Sequence, residues 1–168
     1  EALEEAYEAI PADLQSELLQ RVRAACPAFF ERMVVELLVR VGYGGSTRDA
    51  GQAVGRSGDG GIDGIIKEDR LGLDLISMQA KRWENSVGSP EVYKFVGALA
   101  QRHARKGVLI TTSSFTKDAR EVVGHLGSRV VLVDLPTLAG LMLDHNVGVS
   151  STASYEIKKI DTDFFSEE

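Results

Sequence analysis

Gly60-Gly61-Ile62-Asp63-Gly64 and, one strand later, Met78-Gln79-Ala80-Lys81-Arg82-Trp83 are the two stretches on which the fold turns. Asp63 stands where a glycine-rich loop enters a strand. Gln79 and Lys81 lie two apart on the next apolar strand, so they share one face of the sheet. An aspartate between glycines is, by itself, most simply an ordinary turn residue. The pair downstream reverses that preference. A carboxylate, a second oxygen donor and a lysine gathered at a sheet edge can hold Mg²⁺ and activate a water for attack on a phosphodiester. Gln79 is out of place in a strand of Leu, Ile, Met and Ala, because a buried amide needs partners. Lys81 can stabilise a pentavalent transition state or simply extend its ammonium from the strand end.

Working outward, residues 1–10 predict a short acidic helix, and Pro11 a second helix through about Ala25 with Leu14, Leu18 and Val22 on one side. Pro27 predicts the start of a third, whose apolar stripe is Phe30, Met33, Val34, Leu37, Leu38 and Val41, ending at Gly42-Tyr43-Gly44-Gly45. Residues 44–62 read as a long loop of the kind that carries function. Strands are expected at about 63–67 and 73–82, joined by Glu68-Asp69-Arg70. Ser89-Pro90-Glu91 predicts a helix with Ser89 as its cap, running to Lys106. A strand at Val108–Thr112, a helix from Thr116, a strand at Val130–Val133, a helix from Pro136 to about His145 and an edge strand over 153–159 complete the series. Strands alternating with helices imply an α/β layer structure with a mixed sheet.

The strings SGDGGIDG, SMQAKRW and KGVLITTSSFTKDA resemble the catalytic domain of Mrr-type restriction endonucleases, a branch of the PD-(D/E)xK nucleases in which Gln replaces the usual acid to give Q-x-K. The resemblance runs from about Phe29 to the C-terminus. It implies a restriction-endonuclease-like α/β core, a central mixed sheet flanked by helices, with an N-terminal helical extension. Residues 1–26 are read as that extension, on the linker side of a winged-helix DNA-reading domain that usually precedes this one and is absent from these residues; residues 27–168 are read as the catalytic domain. By the same resemblance, Asp63 and Gln79 bind Mg²⁺, with Mn²⁺ able to substitute, and Lys81 is catalytic.

In that superfamily a glutamate early in the helix before the Gly-Tyr turn approaches the metal. Glu31, eleven residues before Gly42, matches it better than Glu36; the two are about 140° apart around a helix and cannot share a face. A solvated helix acid is the plain alternative for either. Arg82, Trp83 and Asp59 are the candidate nucleic-acid residues. Arg82 can meet a phosphate and Trp83 a base, with packing an equal alternative. Asp59 can bind a second cation through water, but shaping the loop is the simpler role. Asp74 lies an odd number of residues from Gln79, faces the other way and is excluded.

Bulk properties fit without deciding. The net charge of −6 is unusual for a nucleic-acid binder. Residues 1–20 and 161–168, however, hold ten of the 25 acids and no Lys or Arg, leaving 15 acids against 19 bases between them. No run of about 18 apolar residues occurs, so no membrane span is expected. The lone Cys26 cannot form an internal disulfide and suits a reducing cytoplasm; it is expected to be a small packed residue. Neither HExxH, paired Cys/His spacing nor a GxSxG elbow is present.

The function implied is therefore cleavage of double-stranded DNA, as a restriction enzyme acting on modified, methylated DNA. The alternatives are a repair or junction-resolving nuclease of the same superfamily and a non-catalytic DNA-binding or assembly module. A small-molecule-binding α/β domain is the most distant reading. Cutting both strands would require a homodimer or higher assembly.

Overall fold

The computed structural model describes residues 2–43, 64–68, 74–126, 129–153, 158–161 and 163–165. In chain order the elements are α1 (Ala2–Ala24), α2 (Pro27–Val41), β1 (Gly64–Lys67), β2 (Leu75–Lys81), α3 (Ser89–Gln101), β3 (Lys106–Thr111), α4 (Lys117–His125), β4 (Arg129–Val133) and α5 (Leu135–Asp144), then a 3₁₀ turn at Asp163–Phe165. The sheet order is β1-β2-β3-β4. β1 and β2 are antiparallel, with Gly64 opposite Met78; β2, β3 and β4 are parallel, with Gln79 opposite Leu109 and Lys81 opposite Thr111. The mixed sheet expected from the alternation is the one observed.

Each parallel pair is joined by a helix, as parallel strands require. α3 and α4 lie on one face. Their Val92, Phe95, Leu99 and Ala119 share a core with Val87, Leu109, Phe115 and Val130. α1, α2 and α5 lie on the other, where Leu18, Phe30, Val34, Leu37, Leu138 and Met142 pack with Ile66, Ile76, Met78, Ala80 and Ile110. Along β2, even positions therefore face α2 and odd positions face α3. Leu18 and Val22 join the core of α2 and α5, so this part of α1 is docked on the sheet domain.

Local chemistry accounts for the helix limits. α2 begins with Pro27, and its stripe of Phe30, Met33, Val34, Leu37 and Leu38 is buried. It stops at Gly42, whose φ of 118° is strained for any side chain, and the N–H groups of Gly42 and Tyr43 satisfy the carbonyls of Val39 and Leu38. Thr116 caps α4 by accepting from the Ala119 N–H at 3.2 Å. Asp134 caps α5 by accepting from the Thr137 N–H at 3.1 Å, and its other oxygen takes Arg120 at 2.7 Å. Burial pushes the Asp134 carboxyl up, but the bonds from Thr137 and Arg120 outweigh it and hold it below the usual aspartate range.

Several expectations are corrected. α1 runs unbroken from Ala2 to Ala24, whereas a break was expected at Pro11; a proline removes one N–H from the ladder, and helical bonding resumes on either side. The cap of α3 is Gly88, in extended backbone, and Ser89 is already helical. α3 ends at Gln101, short of Lys106, because His103 takes φ 55° and the Ala104 N–H closes onto Leu99. Lys106 instead starts β3, held by ion pairs to Glu68 and Asp74 at the β1–β2 hairpin. Those two carboxylates raise its pKa, the Glu68 hydrogen bond most. Cys26 is exposed at the start of α2, not packed. Of the edge strand expected over 153–159, positions 154–157 lie outside the described residues, and the described residues on either side form no strand.

Candidate active site at the carboxyl end of the parallel strands

Of the odd positions of β2, Leu75 is exposed at the start of the strand, and Ser77, Gln79 and Lys81 face α3. Gln79 is 5% exposed, a buried amide in the row of Leu109. Lys81 ends the strand with a half-buried ammonium.

What surrounds that ammonium follows from how α3 is seated. Glu91, Phe95 and Leu99 recur every fourth residue, so they form one stripe along α3. Phe95 and Leu99 press on Gly107 of β3 so closely that a Cβ there would lie 2.8 Å from the Phe95 ring and 2.9 Å from Leu99 Cδ1. The absence of a side chain at residue 107 lets α3 lie directly on the sheet. The helix runs antiparallel to the strands it connects, which delivers its first turn over the end of β2. There Glu91 Oε2 meets Lys81 Nζ at 3.2 Å, and Glu91 Oε1 accepts from Lys94 at 2.6 Å. The Lys94 hydrogen bond holds the Glu91 carboxyl below the usual glutamate range. Burial opposes it, and Lys81 reinforces it. Lys81 Nζ also lies 4.8 Å from the centre of the Trp83 ring, a cation–π distance.

Trp83 is itself tied down. Thr112 Oγ1 accepts from the Trp83 N–H and donates to the Trp83 carbonyl, both at 3.0 Å. Beyond it, Ser113 Oγ donates to the Glu84 carbonyl at 3.3 Å, and Val87 bonds to Ser114 and Thr116 through the backbone. The segments leaving β2 and β3 thus run side by side and floor a cleft of about 990 Å³. Arg23 from α1, Pro27 from α2, Arg82, Trp83, Asn85 and Ser86 line it. The cleft offers two guanidinium groups, the Glu84 carboxylate, an aromatic face and small hydrogen-bonding side chains, and its Trp83 ring adjoins the Lys81 ammonium.

The residues singled out from sequence distribute as follows. Gln79 and Lys81 are brought to one face, with Trp83 against Lys81 and Arg82 in the adjoining cleft. Asp63 and Asp59 lie outside the described residues. Glu31 is half-buried one turn into α2, the helix that covers the opposite face of the sheet; the start of that helix reaches the cleft through Pro27. Among the described residues, no three His, Cys, Asp or Glu side chains group to hold a metal ion. Asp74 is occupied by Lys106 at the far end of β2, in keeping with its exclusion. In the sequence Glu91 reads only as part of the Ser89-Pro90-Glu91 helix start, where an acid favours the helix N-terminus. Its four-residue spacing from Phe95 was the signal that it belongs to the buried stripe.

Comparison with known proteins identifies relatives of the chain. A family model described as restriction endonuclease, of the Mrr catalytic type, matches residues 22–142. The chain is 46% identical over 165 residues to the type IV methyl-directed restriction enzyme EcoKMrr of Escherichia coli (strain K12), an alignment covering 98% of this chain and 52% of that enzyme. It therefore spans about half the length of that relative. Among solved structures it resembles the MspJI restriction endonuclease in complex with a 27-mer oligonucleotide, with a TM-score of 0.56 and 26% identity over 79% of this chain and 31% of the other. It also resembles the DNA modification-dependent restriction endonuclease AspBHI, with a TM-score of 0.60 over 80% of this chain and 36% of the other. The identity there is 23%, so that likeness is one of fold.

Proposed function

We infer the function from one premise: the chain belongs to the Mrr-type restriction endonuclease family. It is a DNA endonuclease domain that hydrolyses phosphodiester bonds with a divalent metal ion, Mg²⁺ foremost, and within the whole protein it acts on methylated double-stranded DNA. The observation that carries this reading is the placement of Gln79 and Lys81 on one face at the carboxyl end of β2, beside a cleft bearing Arg23 and Arg82.

The donor set suits Mg²⁺. Asp63 directly precedes Gly64, which pairs with Met78, the neighbour of Gln79. A carboxylate and an amide oxygen are hard donors, and Mg²⁺ is typically held by one or two protein carboxylates with substrate phosphate completing its shell. Asp63 and Gln79 would hold the ion, with Glu31 assisting directly or through water. A cation bound there supplies Lewis acidity at the phosphoryl group. The remaining work falls to the chain. Lys81 lends positive charge to the phosphoryl oxygens as negative charge builds in the transition state. Arg82 and Arg23 draw the phosphate backbone into the cleft, and the Trp83 ring offers a stacking face.

The methyl-directed specificity of EcoKMrr favours a substrate of the same class, with the modified base read largely by a domain preceding this one. Cutting both strands calls for two copies of the site, hence a homodimer or higher assembly on DNA. The single, exposed cysteine suits a reducing cytoplasm, and among the described residues no helix is long and apolar enough to cross a membrane.

The test is cleavage of methylated and unmethylated supercoiled plasmid by the full-length protein, with Mg²⁺, with Mn²⁺ and with chelator. Metal-dependent cutting of the methylated plasmid is expected. Asp63→Ala and Lys81→Ala should each lower the rate by roughly 10²–10³-fold, the usual loss on removing a group that stabilises transition-state charge, while leaving the melting temperature near that of the parent. Cutting that survives chelation, or survives both substitutions, would overturn the assignment. Cleavage of branched DNA with methylated duplex left intact would transfer it to junction processing.

A further inference from the structure

We propose that Glu91 is a positioning residue for Lys81: with the Trp83 ring it forms a clamp that fixes the lysine ammonium over the end of β2. The proposal rests on the nuclease reading of the site and adds to it a residue outside the D…Q-x-K pattern.

A lysine ammonium is a point charge on four freely rotating carbons, with three N–H donors and no fixed direction. Left at the end of a strand it would sample many rotamers, and ordering it only when substrate arrives is costly. In this structure two contacts hold it. Glu91 Oε2 accepts one donor at 3.2 Å, and the Trp83 ring takes the cation at 4.8 Å. Among the described residues these are its two partners, and a third donor is left to meet a phosphoryl oxygen.

Both halves of the clamp are held from behind. The Glu91 side chain is only 17% exposed and its second oxygen is fixed by Lys94 at 2.6 Å. Its helix is seated on the sheet through Phe95 and Leu99 against Gly107. Trp83 is tied through its own N–H and carbonyl to Thr112. An ion pair serving only to anchor α3 would not need such exact seating, since the buried Val92, Phe95, Ala98 and Leu99 already secure that helix. Glu91 also returns a negative charge to a site in which the strand position two before the lysine is the neutral Gln79.

The experiment is single-turnover plasmid cleavage by the full-length protein, at saturating DNA and Mg²⁺. Parent, Glu91→Gln, Glu91→Asp, Lys81→Ala and the Lys81→Ala/Glu91→Gln double variant are compared, with DNA affinity and melting temperature measured for each. Glu91→Gln keeps size and polarity but loses the charge. We expect it to slow the chemical step by roughly tenfold to a hundredfold with DNA affinity unchanged, the pattern of a group acting in the transition state. Glu91→Asp should recover part of that loss. In the Lys81→Ala background, Glu91→Gln should cost nothing further, as it must if Glu91 acts through Lys81.

A second readout does not depend on turnover: with ¹⁵N at Nζ of lysine, the Lys81 signal should show restricted motion in the parent and free averaging in Glu91→Gln. A parent-like rate in Glu91→Gln, an undiminished loss in the double variant, or faster cleavage on removing the charge would each overturn the proposal. A parent that does not cut DNA while its Lys81 is ordered by Glu91 would remove the nuclease reading and keep the clamp.

Discussion

Both faces of the sheet carry an apolar core, but the two sides of β2, built from alternate residues of one strand, differ in character. On the α2 side β2 presents Ile76, Met78 and Ala80, all apolar and buried. On the α3 side, after the exposed Leu75 at its start, it presents Ser77, Gln79 and Lys81, all polar, the first two as buried as their neighbours. One face gains its stability from area removed from water, about 25 cal/mol per Å². The other gives up part of that gain to bring an amide, an ammonium and, from α3, a carboxylate to the strand end. A strand that serves chemistry can accept this cost when its reverse face carries the fold.

The strongest way to break that division is to cut into the apolar face. Phe30 is 1% exposed, in the same buried cluster as Met78 and Ala80. Phe30→Ala should cost about 3–5 kcal/mol, read by denaturant unfolding, while the fraction still folded keeps its cleavage rate per site. A loss below about 1 kcal/mol would mean that α2 is not the chief support of the sheet.

A smaller but more pointed effect is expected where the polar face meets its helix. Gly107→Ala introduces a methyl 2.8 Å from the Phe95 ring, and overpacking of that kind costs about 1–3 kcal/mol. Because the same contact seats Glu91, cleavage should slow as well, beyond any loss of folded protein. If stability falls and the rate per folded molecule does not, the seating of α3 and the geometry of Lys81 are independent.

The mildest change sharpens the comparison from within the polar face. Ser77 is fully buried, and its Oγ has no hydrogen-bond partner among the described residues. Removing an unpaired buried hydroxyl relieves its desolvation, so Ser77→Ala should be neutral or stabilising by up to about 1 kcal/mol. A clear loss of stability would show that the hydroxyl is satisfied after all, for instance by an ordered water.

Much of this was legible beforehand because it depends on neighbours in the chain. The stripe of α2 between Pro27 and Gly42 and the shared face of Gln79 and Lys81 follow from helical and strand periods, and the helix beginning near Thr116 was expected as well. One misreading came where distant contacts outweighed local signals. Lys106 looked like the basic end of a helix, yet Glu68 and Asp74, 38 and 32 residues away, hold it in β3. Pro11 misled for a local reason: it removes one N–H from the ladder, and α1 continues through it.

By itself the sequence determined the α/β class, the alternation that sets Gln79 and Lys81 on one side of a strand, and the family those residues resemble. These are consequences of backbone geometry, which repeats every 2 or 3.6 residues whatever lies around it. Only the tertiary structure decided which helix covers that side, and that its first turn sets Glu91 against Lys81 with Trp83 beyond. Two side chains ten residues apart, on different elements, meet only when a helix crosses back over the sheet. That crossing is fixed by close packing against Gly107, a contact that no local period encodes.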